Sequence, residues 1–254
     1  MIKAVNSAGY TAVFDPDAHT YTVLETGAPQ SSVTTFISSF FPQFDTEYWS
    51  KKKSAQLGIT QASLKKKWAD KAEKAQDIGT LMHLYAERRL RNEPAPDPTC
   101  KRSEKLFLRI DQSLAQLSRF FNFVQSEMIV FSPGLGLAGT VDLIMEYKDS
   151  GNLAILDFKQ NEKIKKTNPW ENGFPPVAHM ESCDIVKYAL QLGFYKKIIE
   201  HEGYFPGRKV SNLGLIHLVE DAQPVNIPVK YWEKEIGDMI DHGRRTEKGP
   251  AGLD

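Results

Sequence analysis

Apolar positions recur along this chain at two periods, and the change from one to the other divides it. Residues 10–14 and 19–24 alternate around the turn formers Asp15, Pro16, Asp17 and Ala18, which predicts a β-hairpin. Ser31 and Ser32 stand where a helix cap belongs, ahead of a short helix to Phe40 that Pro42 stops. Residues 46–91 read as mainly helical, with breaks expected near Gly58 and again near Gly79. Pro94, Pro96 and Pro98 make the next stretch a loop, because each removes a backbone donor and clashes with a preceding turn. Residues 103–123 predict another amphipathic helix.

The period then changes to that of strands, at 127–131, 140–147 and 153–158, the last two joined by a turn at 149–152. A long irregular segment, 164–183, contains Pro169, Gly173, Pro175 and Pro176. A helix follows over 184–201, where Ile185, Ala189, Leu192 and Ile199 keep helical spacing. Residues 213–219 predict a last apolar strand, and a closing helix begins beyond Pro228. Helices before and after a central mixed sheet place the fold in the α/β class.

Charge enters this sheet where it should be costly. Asp142 interrupts one predicted strand, and Asp157 and Lys159 end the next. An uncompensated charge in a sheet core needs a partner or a task. Alternation puts Asp157 and Lys159 on one face and Phe158 on the other, and the tight turn makes the Asp142 strand an antiparallel neighbour. Two carboxylates set close together repel unless a cation lies between them. Mg²⁺ suits such a place, since it takes a few carboxylates and keeps room for substrate phosphate. An Asp–Lys ion pair at a strand rim is the plainer alternative. Upstream, Gly79, His83 and Glu87 recur at helical spacing. Downstream, Gln191 and Tyr195 share one helix face, where an amide and a phenol could bind phosphate or support Lys159, although taken alone an amphipathic helix with two polar edge residues is the preferred reading.

Composition removes several other functions. The 254 residues carry no net charge, so no global field draws in nucleic acid. Lysines and arginines nevertheless cluster at 51–53, 65–67, 163–166 and 208–209. Two cysteines, Cys100 and Cys183, are too few for a disulfide framework, a zinc knuckle or a four-cysteine iron–sulfur cluster. With no apolar leader at the N-terminus and no later stretch able to span a bilayer, a cytoplasmic protein without a membrane partner is expected.

In this order and spacing the charged and polar pieces resemble the PD-(D/E)XK nuclease superfamily, in particular its RecB-like branch. That branch includes phage exonucleases and the mitochondrial genome maintenance exonuclease. Gly79 and His83 are similar to its G-x-x-x-H helix, Gly139-Thr-Val-Asp142 to its GxxD strand, Asp157-Phe-Lys159 to its D-x-K strand, and Gln191 with Tyr195 to its Q-x-x-x-Y helix. His19-Thr-Tyr and Ser32-Val-Thr-Thr-Phe are similar to the opening of phage members. The resemblance implies a restriction-endonuclease-like core, a single domain over 1–254, with a mainly helical region at 31–126 able to arch over DNA and a catalytic core at 127–220. It implies that His83, Asp142, Asp157 and the Phe158 backbone carbonyl bind Mg²⁺ or Mn²⁺, with Glu87 a further candidate. Glu127 is similar to an acidic residue preceding the GxxD strand. Lys159 would be the catalytic lysine, with Gln191 and Tyr195 around the scissile phosphate.

The function expected is therefore a metal-dependent DNA exonuclease acting on single strands or free ends, and the resemblance of the N-terminal stretches suggests a phage-encoded protein in a bacterial host. Trp49 and Trp68 are candidates for stacking on bases, or for core packing. An endonuclease on the same scaffold and a silent nucleic-acid-binding protein are the alternatives. Segment 164–183, longer than a minimal crossover, suits a lid or a DNA guide.

Overall fold

The computed structural model describes residues 1–15, 18 and 20–247. Four short strands open the chain: β1 (Ile2–Val5), β2 (Thr11–Asp15), β3 (Thr20–Val23) and β4 (Pro29–Ser32). They form an antiparallel meander in which Phe14 faces Tyr21, and Tyr21 faces Gln30, across neighbouring strands. Two residues of the expected hairpin turn, Pro16 and Asp17, and His19 lie outside the described residues. Ser32 caps α1 (Val33–Ser38) by accepting a hydrogen bond from the Thr35 N–H.

The helical stretch resolves into α2 (Thr46–Leu57) and α3 (Gln61–Leu90). Gly58 ends α2 in the left-handed conformation at φ 65°, which glycine adopts without steric cost. The break expected near Gly79 does not occur. The helix α3 runs through it for thirty residues, about 45 Å at 1.5 Å per residue. Gly79 instead marks a close approach, for a Cβ there would lie 2.9 Å from Gln160 Nε2.

The helix expected over 103–123 is α4 (Lys101–Leu117), and it ends early. Its last expected residues already belong to β5 (Phe121–Ser132), where Phe121 packs on Tyr147 with ring centroids 4.3 Å apart. Aromatic residues with a cross-strand partner gain more from a pleated surface than from another helical turn. Then come β6 (Leu137–Tyr147), β7 (Leu153–Lys159), α5 (Asp184–His201), β8 (Val210–His217), β9 (Val225–Pro228) and α6 (Glu233–Glu247).

Among the described residues, nine strands form one mixed sheet in the order β1-β2-β3-β4-β6-β7-β8-β9, with β5 on the other edge of β6. Pairs β5–β6 and β6–β7 are antiparallel, while β4–β6 and β7–β8 are parallel. The sharing of β6 positions the site. Its edge opposite β5 pairs with β4 at Leu137 and Ala138 and with β7 from Leu143 to Glu146. Residues 139–142 lie in the gap between them.

Two apolar layers sandwich the sheet. On one face, Leu190, Phe194 and Ile198 of α5 and Ile240 of α6 bury against Ile144, Ile155 and Leu215. On the other, Met82 of α3 and Leu106 and Ile110 of α4 bury against Leu143, Phe158 and Ile216. Each fully buried large aliphatic side chain contributes about 1.5–3 kcal/mol, so these layers rather than helix propensity hold α3 and α5 in place. Among the described residues, no helix is long and apolar enough to cross a membrane.

Candidate active site

The end of β7 carries the first half of the site. Asp157 is 2% exposed and Lys159 lies on the same face, as strand alternation requires, while Phe158 enters the core on the other. Lys159 Nζ lies 2.5 Å from Asp157 Oδ2, an ion pair without the alignment of a hydrogen bond. The same ammonium sits over the Tyr188 ring, 4.7 Å from its centroid. Tyr188 was not singled out in the sequence, although it lies one turn before Gln191 on the same side of α5, and that spacing is its signal.

The second half lies at the gap in β6. His83, projecting from α3, places Nδ1 3.1 Å from Glu127 Oε1 and 3.4 Å from Asp142 Oδ2. One ligand atom from each of these three residues lies within 4.8 Å of the others, an arrangement able to hold a metal ion. Asp142 Oδ2 also accepts a hydrogen bond from the Phe158 N–H at 3.0 Å, which ties the two strand ends together. The Lys159 carbonyl accepts from Leu218 N–H on the β8 side. Alternation along β7 therefore turns the Phe158 carbonyl toward Asp142.

Glu127 belongs to this group more closely than Glu87. Glu127 sits in β5 with φ 47°, a left-handed conformation uncommon for a residue with a side chain. The neighbouring pairs, Ser126 with Leu143 and Met128 with Val141, hold it there. Glu87 lines the same cleft, but its carboxylate pairs with Arg91 at 2.8 Å and lies outside the group of possible ligands.

The electrostatics are those of crowded acids. Burial first, and then the charge of Asp142, push Asp157 up to about 6. Burial likewise raises Asp142, with His83 and Lys159 pulling against it. Burial alone would depress His83, but Asp142, then Glu127 and Asp157, outweigh it and raise its pKa to about 9. Burial would also lower Lys159, and Asp157 and Asp142 again outweigh it, so the ammonium keeps its charge. Two cationic side chains thus hold negative charge that the site concentrates.

Helix α5 closes the site from one face. Gln191 Nε2 donates to the Tyr195 hydroxyl at 3.1 Å, and burial pushes the Tyr195 pKa far up, so the phenol stays neutral. Both residues line a cleft of about 720 Å³ together with His83, Glu127, Asp142 and Gly139. Phe14 and Tyr21 of the N-terminal meander also line this cleft. Tyr21 belongs to the His19-Thr-Tyr stretch that the resemblance includes, whereas nothing in the sequence singled out Phe14.

Of the basic clusters, Lys163 and Lys165 reach a second cleft, of about 910 Å³, with Lys71 and Arg102. Lys65 pairs with Glu47, and Arg208 with Glu146 at 2.9 Å. Trp49 and Trp68 are half-buried, Trp68 against Phe44 and Trp49 against Tyr48. Segment 164–183 is tied down by Asn168, whose N–H donates to Glu181 at 2.6 Å, and by Phe174 N–H donating to the Phe40 carbonyl at 2.7 Å.

A model of the PD-(D/E)XK nuclease superfamily matches residues 55–243. No curated protein matches the chain. Among solved structures, a candidate exonuclease from Eubacterium rectale is similar at 16% sequence identity and a TM-score of 0.34. The similarity covers 57% of this chain and 55% of that one, so the chain spans little more than half the length of that protein.

Proposed function

The chain belongs to the PD-(D/E)XK nuclease superfamily, and on that premise we propose that it is a Mg²⁺- or Mn²⁺-dependent DNA exonuclease acting on single-stranded or free DNA ends. Its substrate is nucleic acid. Its reaction is phosphodiester hydrolysis, in which water adds to phosphorus and one ester oxygen leaves with a proton. The observation that carries the reading is the meeting of His83, Glu127 and Asp142 next to the buried Asp157–Lys159 pair.

These donors fit a divalent cation. Acids raised by burial and by one another, with a histidine held protonated between them, mark a place where positive charge is lacking. His83, Glu127, Asp142, Asp157 and the Phe158 carbonyl would hold the ion. When bound, such an ion offsets charge on the phosphate and lowers the pKa of an attacking water.

The chain's own groups do the rest. With its pKa raised, Lys159 acts as a fixed positive charge that orients water and steadies developing charge on the phosphate, rather than as a base. Asp157 holds that ammonium in place. The neutral Tyr195 phenol accepts from Gln191 and so has its own O–H to donate to a phosphate oxygen. The resemblance to the RecB-like branch as a whole, and not any single residue, supports an exonuclease over an endonuclease. Lysines 51–53 and 65–67 on α2 and α3 support an arch over the strand.

Digestion of end-labelled single- and double-stranded DNA, linear and circular, with Mg²⁺, Mn²⁺ or EDTA tests the proposal. Loss of label from linear DNA alone, dependent on metal, is expected. Cleavage of circles would make the enzyme an endonuclease, and no cleavage under any condition would leave a silent binding protein.

A further inference from the structure

Two clefts border each other along α3. The first holds His83, Glu127 and Asp142, and the second, of about 910 Å³, opens where β7 ends. Gln160 follows Lys159 directly and lines the second cleft. Its Nε2 donates to the Ala75 carbonyl at 2.8 Å and abuts Gly79, which lines the first. One side chain thus stands at the border. Helix α3 gives His83 to one cleft and Lys71 to the other, about 18 Å apart at 1.5 Å per residue. A strand whose phosphate reacts in the first cleft therefore reaches the second within about five stacked nucleotides, at about 3.4 Å each.

Charge in the second cleft is unevenly satisfied. Arg102 offsets Glu220, with Nε 3.2 Å from the carboxylate, and Asp184 accepts from the Lys165 N–H at 2.9 Å, while Glu162 also lines the cleft. The ammonium groups of Lys71, Lys163 and Lys165 meet no carboxylate among the described residues. Solvated lysines alone are ordinary surface. The residue that follows them is not: Trp170 is 92% exposed, and among the described residues no ring or hydrogen-bonding group meets its indole. The backbone on either side is nevertheless held. The Asn168 N–H donates to Glu181 at 2.6 Å and its amide to the Ser182 carbonyl at 2.8 Å, and the Glu171 carbonyl accepts from the Ser182 N–H at 2.7 Å. Trp170 lies no more than about 18 Å of chain from Lys165.

An open indole face on an ordered backbone, beside lysines without partners, suits single-stranded nucleic acid, whose phosphates take the cations and whose bases take the ring. We propose that Lys71, Lys163 and Lys165, with Trp170, form a guide for the substrate strand, holding its phosphates and stacking one unpaired base beyond the scissile phosphodiester. The inference rests on the nuclease reading of the first cleft and deepens it, by giving the strand a path away from the metal ligands. A protein partner could also seat an exposed tryptophan. The lysines, and their continuity with the strand that carries Asp157 and Lys159, favour nucleic acid.

The test measures binding of the full chain to single-stranded oligothymidylate in EDTA, where no cleavage intervenes, by tryptophan emission and by the anisotropy of a labelled strand. Trp170, Lys163 and Lys165 are all exposed, so their variants are expected to fold. A base stacked on Trp170 quenches part of the emission. Trp170→Phe keeps a ring and most of the affinity but loses that part of the quench. Trp170→Ala binds about five- to a hundredfold more weakly, the scale of one lost base–aromatic stack. A fully abasic strand of the same length binds wild type and Trp170→Ala equally. Lys163→Gln combined with Lys165→Gln lowers the slope of log affinity against log salt by about 1.4, at about 0.7 per phosphate contact on a single strand.

Wild-type affinity for oligothymidylate in Trp170→Ala, or an undiminished quench in Trp170→Phe, would overturn the proposal and leave Trp170 as an anchor for a protein partner. An unchanged salt slope in the lysine variant would overturn it as well. Failure of the nuclease reading looks different: the wild-type protein then cleaves no DNA with any metal, whatever these metal-free binding measurements show.

Discussion

The Tyr195 ring lies so close to Gly139 that a Cβ at that position would come within 2.5 Å of its Cε1 and 3.1 Å of its Cζ. Residue 139 begins the stretch where β6 has parted from β4 and has not yet met β7. The ring of α5 fills that gap, three residues before Asp142 reaches the cleft. The glycine of the GxxD pattern is thus required by an approach between a helix side chain and a strand, not by its own backbone angles.

That contact separates the two motif glycines. Gly139→Ala drives a methyl group into a buried, immobile ring, and is expected to cost about 1–3 kcal/mol and to displace the Tyr195–Gln191 pair. Gly79→Ala meets only Gln160 Nε2, the end of a flexible side chain that now donates to the Ala75 carbonyl at 2.8 Å. Losing that bond, at about 0.5–1.5 kcal/mol, is offset by about 1 kcal/mol of helix propensity. Urea denaturation should find Gly79→Ala close to wild type. Equal large losses at both positions would contradict this account.

Asp157→Asn keeps the shape of a buried side chain and removes its charge. Metal-dependent cleavage is expected to fall below detection, by about two orders of magnitude or more. Binding of DNA at low salt should survive, since lysine–phosphate contacts are untouched. Gel shifts beside cleavage assays on the purified variant check both, and near-wild-type cleavage would remove Asp157 from the site.

Metal should stabilise the protein more as pH rises. Without metal, Asp157 has its pKa raised to about 6, and His83 to about 9. Both shifts lie above the ordinary values, so each group contributes stability at low pH that is lost as pH rises, through about 6 and about 9 respectively. An ion bound by these groups requires them deprotonated. The rise in melting temperature with Mg²⁺ or Mn²⁺ over EDTA is therefore expected to be small at pH 5 and larger at pH 8. A shift that is equal at both, or larger at pH 5, would sink the ligand assignment.

How much of this was legible in the sequence depended on whether a residue's partner was local. Period alone located β6, β7 and α5, and alternation placed Asp157 and Lys159 on one face. The early end of α4 was not legible, because Phe121 and Phe123 continue its apolar pattern while their partners lie at Tyr147 and Met145. The outer strands β1 and β9 are four residues each and mostly exposed, too short for alternation to signal them. The place of Glu127 depends on a positive φ that no residue type announces. Phe14 and Tyr21 are brought to the cleft by long-range contacts with no local signal, among them the parallel pairing of Ser32 with Ala138.

Lys159 separates a catalytic charge from a structural ion pair. If the ammonium only neutralises Asp157, replacing it should act mainly on stability, and strongly, because it would strand a carboxylate that is 2% exposed. If it orients water and steadies charge on the phosphate, Lys159→Ala should instead cleave about two to four orders of magnitude more slowly, even under conditions where it is fully folded. Lys159→Arg keeps the charge but spreads it over a planar fork. It is also bulkier over the Tyr188 ring, where the ammonium now sits 4.7 Å from the centroid. Arginine is therefore expected to restore most of the melting temperature and little of the rate. Melting curves and single-turnover cleavage on both variants decide the matter. Full activity with arginine would reduce the position to generic positive charge, and a rate loss that only tracks unfolding would leave Lys159 a structural partner of Asp157.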